Sequence, residues 1–371
     1  MLPGFSEEEW YYRIALNLVP GIGPKKTLLL LEHFGDAKTV MQAPVKELVK
    51  ISGITMPIAR AAKEQAVLDR AAQEMHFILD KGIRPYYYAD ADYPQRLKAC
   101  NDAPILMYGK GNICFEAAKV VAVVGTRKHS EYGQRLTEAL IAGLKDEKDI
   151  LVVSGLAYGI DGIAHNACVQ HGLPTVGVLA HGLDRLYPAT HKKLAAQMLD
   201  NGGLLTEFPS GTDTEKTNFP VRNRIVAGLS DVTIVVESDI KGGAMITAYL
   251  ARSYNREVAA FPGKVHDSRS AGCNDLIRRN IAALITGADD LQALMGWQKA
   301  GKPKKAVPQL QLDLLPEEQC VVSILQAKEA VHTDELLHHA GVSSSQLAAI
   351  LLQLEMDGLI KALPGKYYRI G

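Results

Sequence analysis

From about residue 118 the chain repeats one pattern: a short β-branched apolar run, a turn containing glycine, then an amphipathic stretch with apolar residues three and four apart. The runs are KVVAVVGT, ILVVSG, PTVGVLA, GLLTEF, VTIVVE, EVAAFPG and ALIT, apolar at successive rather than alternate positions. A strand apolar on both faces has to be covered on both faces. The pattern therefore predicts a doubly wound α/β domain with a mostly parallel sheet, over residues 81–298. Residues 1–80 follow a different rhythm. WYYRIALNLV and TLLLLEHFG are apolar at helical spacing around PGIGPKK, and a similar layout recurs around KISGITMPIARAAKE, which predicts an all-helical domain of two helical pairs.

Beyond GADDLQALMGW, the segment QKAGKPKKAVPQLQLD mixes Lys, Pro and Gln without periodicity and reads as an exposed linker over 299–313. In the last domain, 314–371, come a helix (EEQCVVSILQA), a helix opened at Thr333, a turn at Gly341, a helix from Ser343 to Asp357 and an apolar hairpin (LIKALPGKYYRI). That order is a winged helix. Its candidate recognition helix has no Lys or Arg and carries Glu355 and Asp357 near its end, which favours protein contact or packing over DNA reading.

Charge narrows the choice of partner. Lys plus Arg equals Asp plus Glu at 41 each in 371 residues, so any polyanion must be held by local clusters. Five cysteines, Cys100, Cys114, Cys168, Cys273 and Cys320, show no CxxC spacing, which argues against a disulfide framework and a zinc site. The N-terminus has acids where a signal peptide needs a basic flank, and no apolar run approaches the ~20 residues of a membrane span. The expectation is a soluble, cytoplasmic protein that holds no metal and no cofactor.

The turns carry the candidate chemistry. VPGIGPKKTLLLLEHFG resembles a helix-hairpin-helix, whose exposed N–H groups hold a phosphate with help from Lys25 and Lys26; a tight interhelical turn with solvated lysines explains the string equally well. GxxxxGK[ST] and GxGxxG are both absent, which disfavours an ATPase and a dinucleotide cofactor. In KVVAVVGTRKHSEYG the first parallel strand runs into Gly125, Thr126 and Arg127, where such sheets place an anion; a loop-tying salt bridge is the other role open to Arg127. SGLAYGIDGIAHNA sets Ser154, Gly155 and Gly159 at the next turn, with Asp161 suited to hold it through backbone N–H groups. GxSxG is missing, and His165 fits a core or loop-holding role better than a metal site. EKTNFPVRNRIVAGLS follows the fourth strand, so Lys216, Asn218, Phe219, Arg222, Asn223 and Arg224 emerge on the same rim. Phe219 is placed to stack a base while its neighbours hold phosphates, or simply to be buried. Arg222 and Arg224, two apart on a helix, cannot share a face; one is expected outward and one bracing the rim. Glu207 and Glu237 stand singly near strand ends, with no paired carboxylates or Cys–His pair, so a binding surface fits better than catalysis.

Taken in order, VVGTRKHSEYG, SGLAYGIDGIAH, GLDRLYP, NFPVRNRIVAGLSD, GGAMITA, AFPG and GCNDLI resemble the bacterial DNA-processing protein family known as DprA or Smf, over about residues 85–295. The resemblance implies an extended Rossmann-like domain between an N-terminal helical, helix-hairpin-helix or SAM-like domain and a C-terminal winged helix. It implies a non-enzymatic homodimer that binds single-stranded DNA, protects it, and loads the RecA recombinase during natural transformation. Arg127 matches the family's phosphate-gripping arginine, and Lys216 and Phe219 match its base and backbone contacts. After Tyr187 and Pro188, relatives often have a basic residue; here stands Ala189, with Lys192 and Lys193 as possible substitutes. Family expectation puts Ile277 and Leu284 at a dimer contact, whereas periodicity alone would bury them. Two other classes stay open. A nucleotide phosphoribohydrolase of the lysine-decarboxylase-like type would carry PGGxGTxxE, but the nearest string here, KGGAMITAY, lacks the glutamate. An interaction scaffold would leave the basic rim without use.

Overall fold

The computed structural model describes residues 6–297, 315–326, 330–363 and 365–370; the segment read as a linker lies outside them. The chain divides into two compact units after residue 297.

The first unit opens with helices α1 (Glu7–Leu18), α2 (Pro24–Phe34), α3 (Ala37–Gln42), α4 (Val45–Leu48), α5 (Met56–Ala61) and α6 (Gln65–Lys81). Ser6 and Asp36 cap α1 and α3 by accepting from the backbone N–H groups of Glu9 and Thr39. The hairpin turns between α1 and α2 and between α4 and α5 pass through Gly21 and Gly53, both at φ +81°, which only glycine adopts without strain. Trp10, Ile14, Leu30, Val40 and Leu48 pack with Tyr87, Leu106 and Tyr108 of the following strands, so the helical layer and the sheet edge share one core.

Then come β1 (Arg84–Tyr87), α7 (Gln95–Lys98), β2 (Leu106–Gly111), β3 (Lys119–Val124), α8 (Glu131–Leu144), β4 (Ile150–Ser154), α9 (Ile160–His171), β5 (Thr175–Val178), α10 (Lys192–Met198), β6 (Gly202–Thr206), α11 (Asn218–Leu229), β7 (Val232–Val235), α12 (Gly243–Ser253), β8 (Glu257–Ala260), α13 (Ser268–Arg278), β9 (Ala283–Leu284) and α14 (Ala288–Leu294). The nine strands form one sheet in the order β1-β2-β6-β5-β4-β3-β7-β8-β9. Every pairing from β6 through β9 is parallel, and each of the seven apolar runs supplies one of these strands. β1 and β2, which the pattern did not announce, are antiparallel additions at one edge. Alternate residues of β3 serve opposite layers: Val120, Ala122 and Val124 meet Ile225, Val226 and Ala248, while Val121 and Val123 meet Leu140, Ile141 and Ile160. Two covered faces thus explain why the strand reads as apolar throughout.

In the second unit, α15 (Pro316–Gln326), β10 (Val331–His332), α16 (Thr333–Ala340), α17 (Ser344–Met356), β11 (Ile360–Leu363) and β12 (Tyr367–Ile370) make a winged helix with a three-stranded antiparallel sheet. Ser343 and Gln346 close a capping box at the start of α17, and Gly341 makes the preceding turn at φ +64°. Val321, Leu325, Leu336, Leu347, Ile350 and Leu354 fill a core of its own.

Among the described residues no helix is long and apolar enough to cross a membrane. All five cysteines are free thiols, and among the described residues no cluster of three or more His, Cys, Asp or Glu side chains is disposed to hold a metal.

Candidate nucleic-acid interface

The sheet reverses its direction of growth between β3 and β7: the chain steps outward through β4, β5 and β6, then crosses back by α11. Helices diverge there beyond the carboxyl ends of the strands and leave a crevice. The crevice measures about 310 Å³ and is lined by the turn after β3, the turn after β4, the start of α11 and the Gly242–Gly243 turn before α12.

Each wall is tied down from inside. After β3, the Thr126 N–H donates to the Glu237 carbonyl at 2.7 Å. The Glu237 carboxylate, buried, accepts from the Ser130 N–H at 2.9 Å and from the Ser130 hydroxyl, while Ser130 caps α8. A carboxylate at a helix N-terminus is favoured by the peptide dipoles, so Glu237 anchors the loop. Arg127, Lys128 and His129 are left exposed between the two anchors. After β4, the Ser154 hydroxyl donates to the Val123 carbonyl at 2.6 Å, and the Gly155 N–H donates to Asp161 Oδ2 at 3.1 Å. Gly159, at φ +78°, brings its backbone against the arginine loop: a Cβ there would lie 2.2 Å from the Thr126 carbonyl oxygen.

α11 supplies the third wall, and here one expectation is corrected. Neither Arg222 nor Arg224 faces outward. The Arg222 guanidinium is buried and donates from Nη1 to the Gly155 carbonyl at 2.5 Å and to the Val178 carbonyl. Gly155 has no side chain because that guanidinium fills its place. Burial lowers the Arg222 pKa to about 10, with nearby Arg127 adding to the effect and Asp161 opposing it, so the group is still cationic at neutral pH. Burial raises the Asp161 pKa, opposed chiefly by Arg222. Arg224 donates to Glu207 and to the Asp102 carbonyl. Glu207, pushed up to about 7 by burial and pulled down by Arg224, is committed to that pair. The two arginines do lie on different sides of α11, as their spacing requires, but both sides are covered.

The remaining candidates separate clearly. Phe219, half-buried in the crevice mouth, carries the Arg127 guanidinium carbon 4.6 Å from its ring centroid, a cation–π distance. Asn218 Nδ2 donates to the Asp213 carbonyl at 3.1 Å, and Asn223 Nδ2 reaches the Gly243 carbonyl at 3.4 Å, so both amides fasten the start of α11. Lys216 is exposed just ahead of the helix. Lys192 and Lys193, adjacent in sequence, open onto different grooves, one beside Lys110 and Asp184, the other beside Tyr158. Gly125 lets the β3 turn rest on Ile160. His165 is fully buried, with Nδ1 2.7 Å from Thr175 Oγ1, a core role. Leu284 is half-exposed on the two-residue edge strand β9, and Ile277 is partly buried against the core.

Two features escaped the sequence. Asp239 and the Gly242–Gly243 turn form the far wall of the crevice; the sequence showed a Gly-rich turn there but not what it faces. Tyr187 and Tyr158 continue the aromatic surface outward from Phe219; the signals were the tyrosines of GLDRLYP and SGLAYG, with nothing in either string to show that they meet.

Residues 84–296 match the family model described as DNA recombination-mediator protein A, and residues 303–366 match the DprA winged helix domain. A putative DNA processing protein DprA of Mycobacterium tuberculosis is 36% identical over 316 residues, 81% of this chain and 80% of that protein. Protein Smf of Escherichia coli is 35% identical over 76% of each chain. Among solved structures, DNA processing protein A of Streptococcus pneumoniae superposes with a TM-score of 0.65 at 31% identity, covering 79% of this chain and 98% of that one. DNA processing protein A of Helicobacter pylori, solved for its single-stranded DNA binding mode, gives 0.53 at 27% identity over 58% of this chain and 97% of its own. With sheet, winged helix and family models in agreement over most of its length, this chain belongs to the DprA (Smf) family of DNA recombination-mediator proteins.

Proposed function

We propose that this protein binds single-stranded DNA across the rim of the β3–β7 crevice, without catalysis, as a cytoplasmic recombination mediator. The observation that carries the reading is the pairing of Arg127 with Phe219: a cation and an aromatic face 4.6 Å apart, half-exposed at the mouth of a crevice backed by the buried Arg222 guanidinium. Arg127 and Lys216 hold phosphates, and Phe219 stacks one base. Arg222, Arg224, Ser154 and Asn218 act from behind as positioning residues. Gly125, Thr126, Gly155, Gly159 and Asn223 shape the wall. Lys192 and Lys193 stand in for the basic residue that Ala189 replaces. The Helicobacter pylori relative's single-strand binding supports the assignment. Action without catalysis is what family membership suggests; Glu237 is engaged in capping α8 and Glu207 in its pair with Arg224.

By family membership the bound strand is protected and passed to RecA in natural transformation, and the protein works as a homodimer through the β9 edge around Ile277 and Leu284. Light scattering should then give twice the mass of the chain, and addition of the protein should shorten the lag of RecA filament growth on single strands.

The test of the site is fluorescence anisotropy with a labelled dT oligomer and a matched duplex. Wild type should prefer the single strand, and Phe219→Ala should lose about tenfold or more, in keeping with ~1–3 kcal/mol per stacked base. Arg127→Ala should lose a similar amount and also reduce the salt dependence. Unchanged binding in both variants would remove the rim as the site.

A further inference from the structure

Resting on the reading of the rim as a single-strand site, the geometry points to a longer path for the strand than the Arg127–Phe219 crevice. We propose that it runs over Tyr187 and Tyr158 to His191 and enters the groove between α8, α9 and α10 beside Lys193.

Four rings stand in a row. Phe219 to Tyr187 is 6.2 Å between centroids, Tyr187 to Tyr158 is 6.2 Å, and Tyr158 to His191 is 5.7 Å. Tyr158 and Tyr187 are 41% and 39% exposed, so both present ring surface to solvent rather than to the core. The last ring is fixed from below: His191 Nδ1 lies 3.1 Å from the Leu156 carbonyl, and Gly162 leaves it room, since a Cβ there would sit 2.6 Å from the ring. The row opens into a groove of about 640 Å³ lined by Lys193 and by the amides of Gln134, Asn166, Gln170 and Gln197. Its one carboxylate, Glu138, accepts from the Gln134 amide at 2.8 Å.

The spacing chooses the ligand. Bases stacked in duplex DNA rise about 3.4 Å per nucleotide, so rings near 6 Å apart fall out of step with a stacked strand after the first. The planes are also turned by 61°, 81° and 64° from one ring to the next. A strand that keeps its own stacking can meet one ring only. An extended strand with splayed bases can lay one base on each, whatever its sequence, while the amides and Lys193 receive backbone and base edges. The track therefore adds length-dependent affinity and reinforces rejection of duplex.

The test uses the full chain with labelled dT oligomers of about four and about twelve nucleotides, lengths that bracket the usual site size per module. Phe219→Ala should weaken both. Tyr158→Ala should weaken the longer oligomer about fivefold or more and leave the shorter one unchanged. Tyr158→Phe should restore the longer, and Lys193→Ala should reduce it selectively. Thermal melts matching wild type would show that the exposed-residue variants remain folded. Tyr158→Ala binding both lengths like wild type, with Phe219→Ala impaired, would overturn the track while leaving the rim site standing. A Tyr158→Phe variant as weak as Tyr158→Ala would overturn it as well, because stacking needs the ring and not the hydroxyl. Failure of wild type to bind any single strand would instead remove the rim reading on which the track rests.

Discussion

Three arginines around one crevice do three different jobs, and burial decides which. Arg127 is exposed and lies over a ring; Arg222 is buried among carbonyls; Arg224 is paired with Glu207. Truncating Arg222 leaves the buried Gly155 and Val178 carbonyls without their donor, at a cost of about 1–3 kcal/mol for each unsatisfied group. Arg222→Ala should therefore lower the melting temperature strongly and weaken DNA binding with it. Arg127→Ala should weaken binding and leave the melting temperature within about 1 °C of wild type, because a surface substitution changes stability little. Denaturation curves alongside anisotropy distinguish the two. His165 makes a pH prediction. Burial, aided by His191 and Arg222, pushes its pKa from the ordinary 6.5 down to about 3. The folded protein keeps it neutral while the unfolded chain takes up a proton below 6.5, so stability present above that pH is lost as the pH falls towards 3. His165→Gln, which keeps a donor for Thr175 Oγ1, should flatten the fall in urea-unfolding free energy between about pH 7 and pH 5.

Among elements, the turns after β3 and β4 behave as one interlocked piece. Gly159 and Gly172 both have positive φ, +78° and +68°, but a Cβ on the first would strike the Thr126 carbonyl whereas the second has nothing within 4 Å. Gly172→Ala should cost only backbone strain, about 1 kcal/mol, and spare DNA binding. Gly159→Ala should cost more, about 1–3 kcal/mol beyond that, and displace Arg127, so its single-strand affinity should fall as well. Melting and anisotropy on the pair check this; equal effects from the two would mean the loops are not coupled. The same scale shows what could be read in advance. The seven parallel strands were legible because each is buried on both faces and apolar at every position. RPYY and LMYGKG, now β1 and β2, were not, since a strand of four or six residues containing Arg and Pro or Gly and Lys has neither a continuous run nor a clean alternation. The rim was legible as loops at strand ends. The inward turn of Arg222 and Arg224 was not, because their partners Gly155, Val178, Glu207 and Asp102 are distant in sequence and meet only in the fold.

For the whole molecule, equal numbers of positive and negative side chains mean that no long-range field gathers DNA. Binding should respond to salt only through local contacts. If Arg127, Lys216 and Lys193 are the phosphate ligands, the slope of log affinity against log salt should be about −2, from roughly −0.7 per phosphate on a single strand. A much steeper slope in a salt titration would mean a basic surface larger than the rim. The winged helix has its own core and no Lys or Arg on α17, so a chain ending at residue 297 should fold and keep this slope. The helical layer is another matter. Trp10, Ile14 and Leu30 share one core with Tyr87, Leu106 and Tyr108 on the outer strands. The N-terminal helices are thus no detachable module in an evolutionary sense: a descendant that lost them would inherit an oily flank, and could survive only by recolouring those strand positions as polar or by recruiting a new cover.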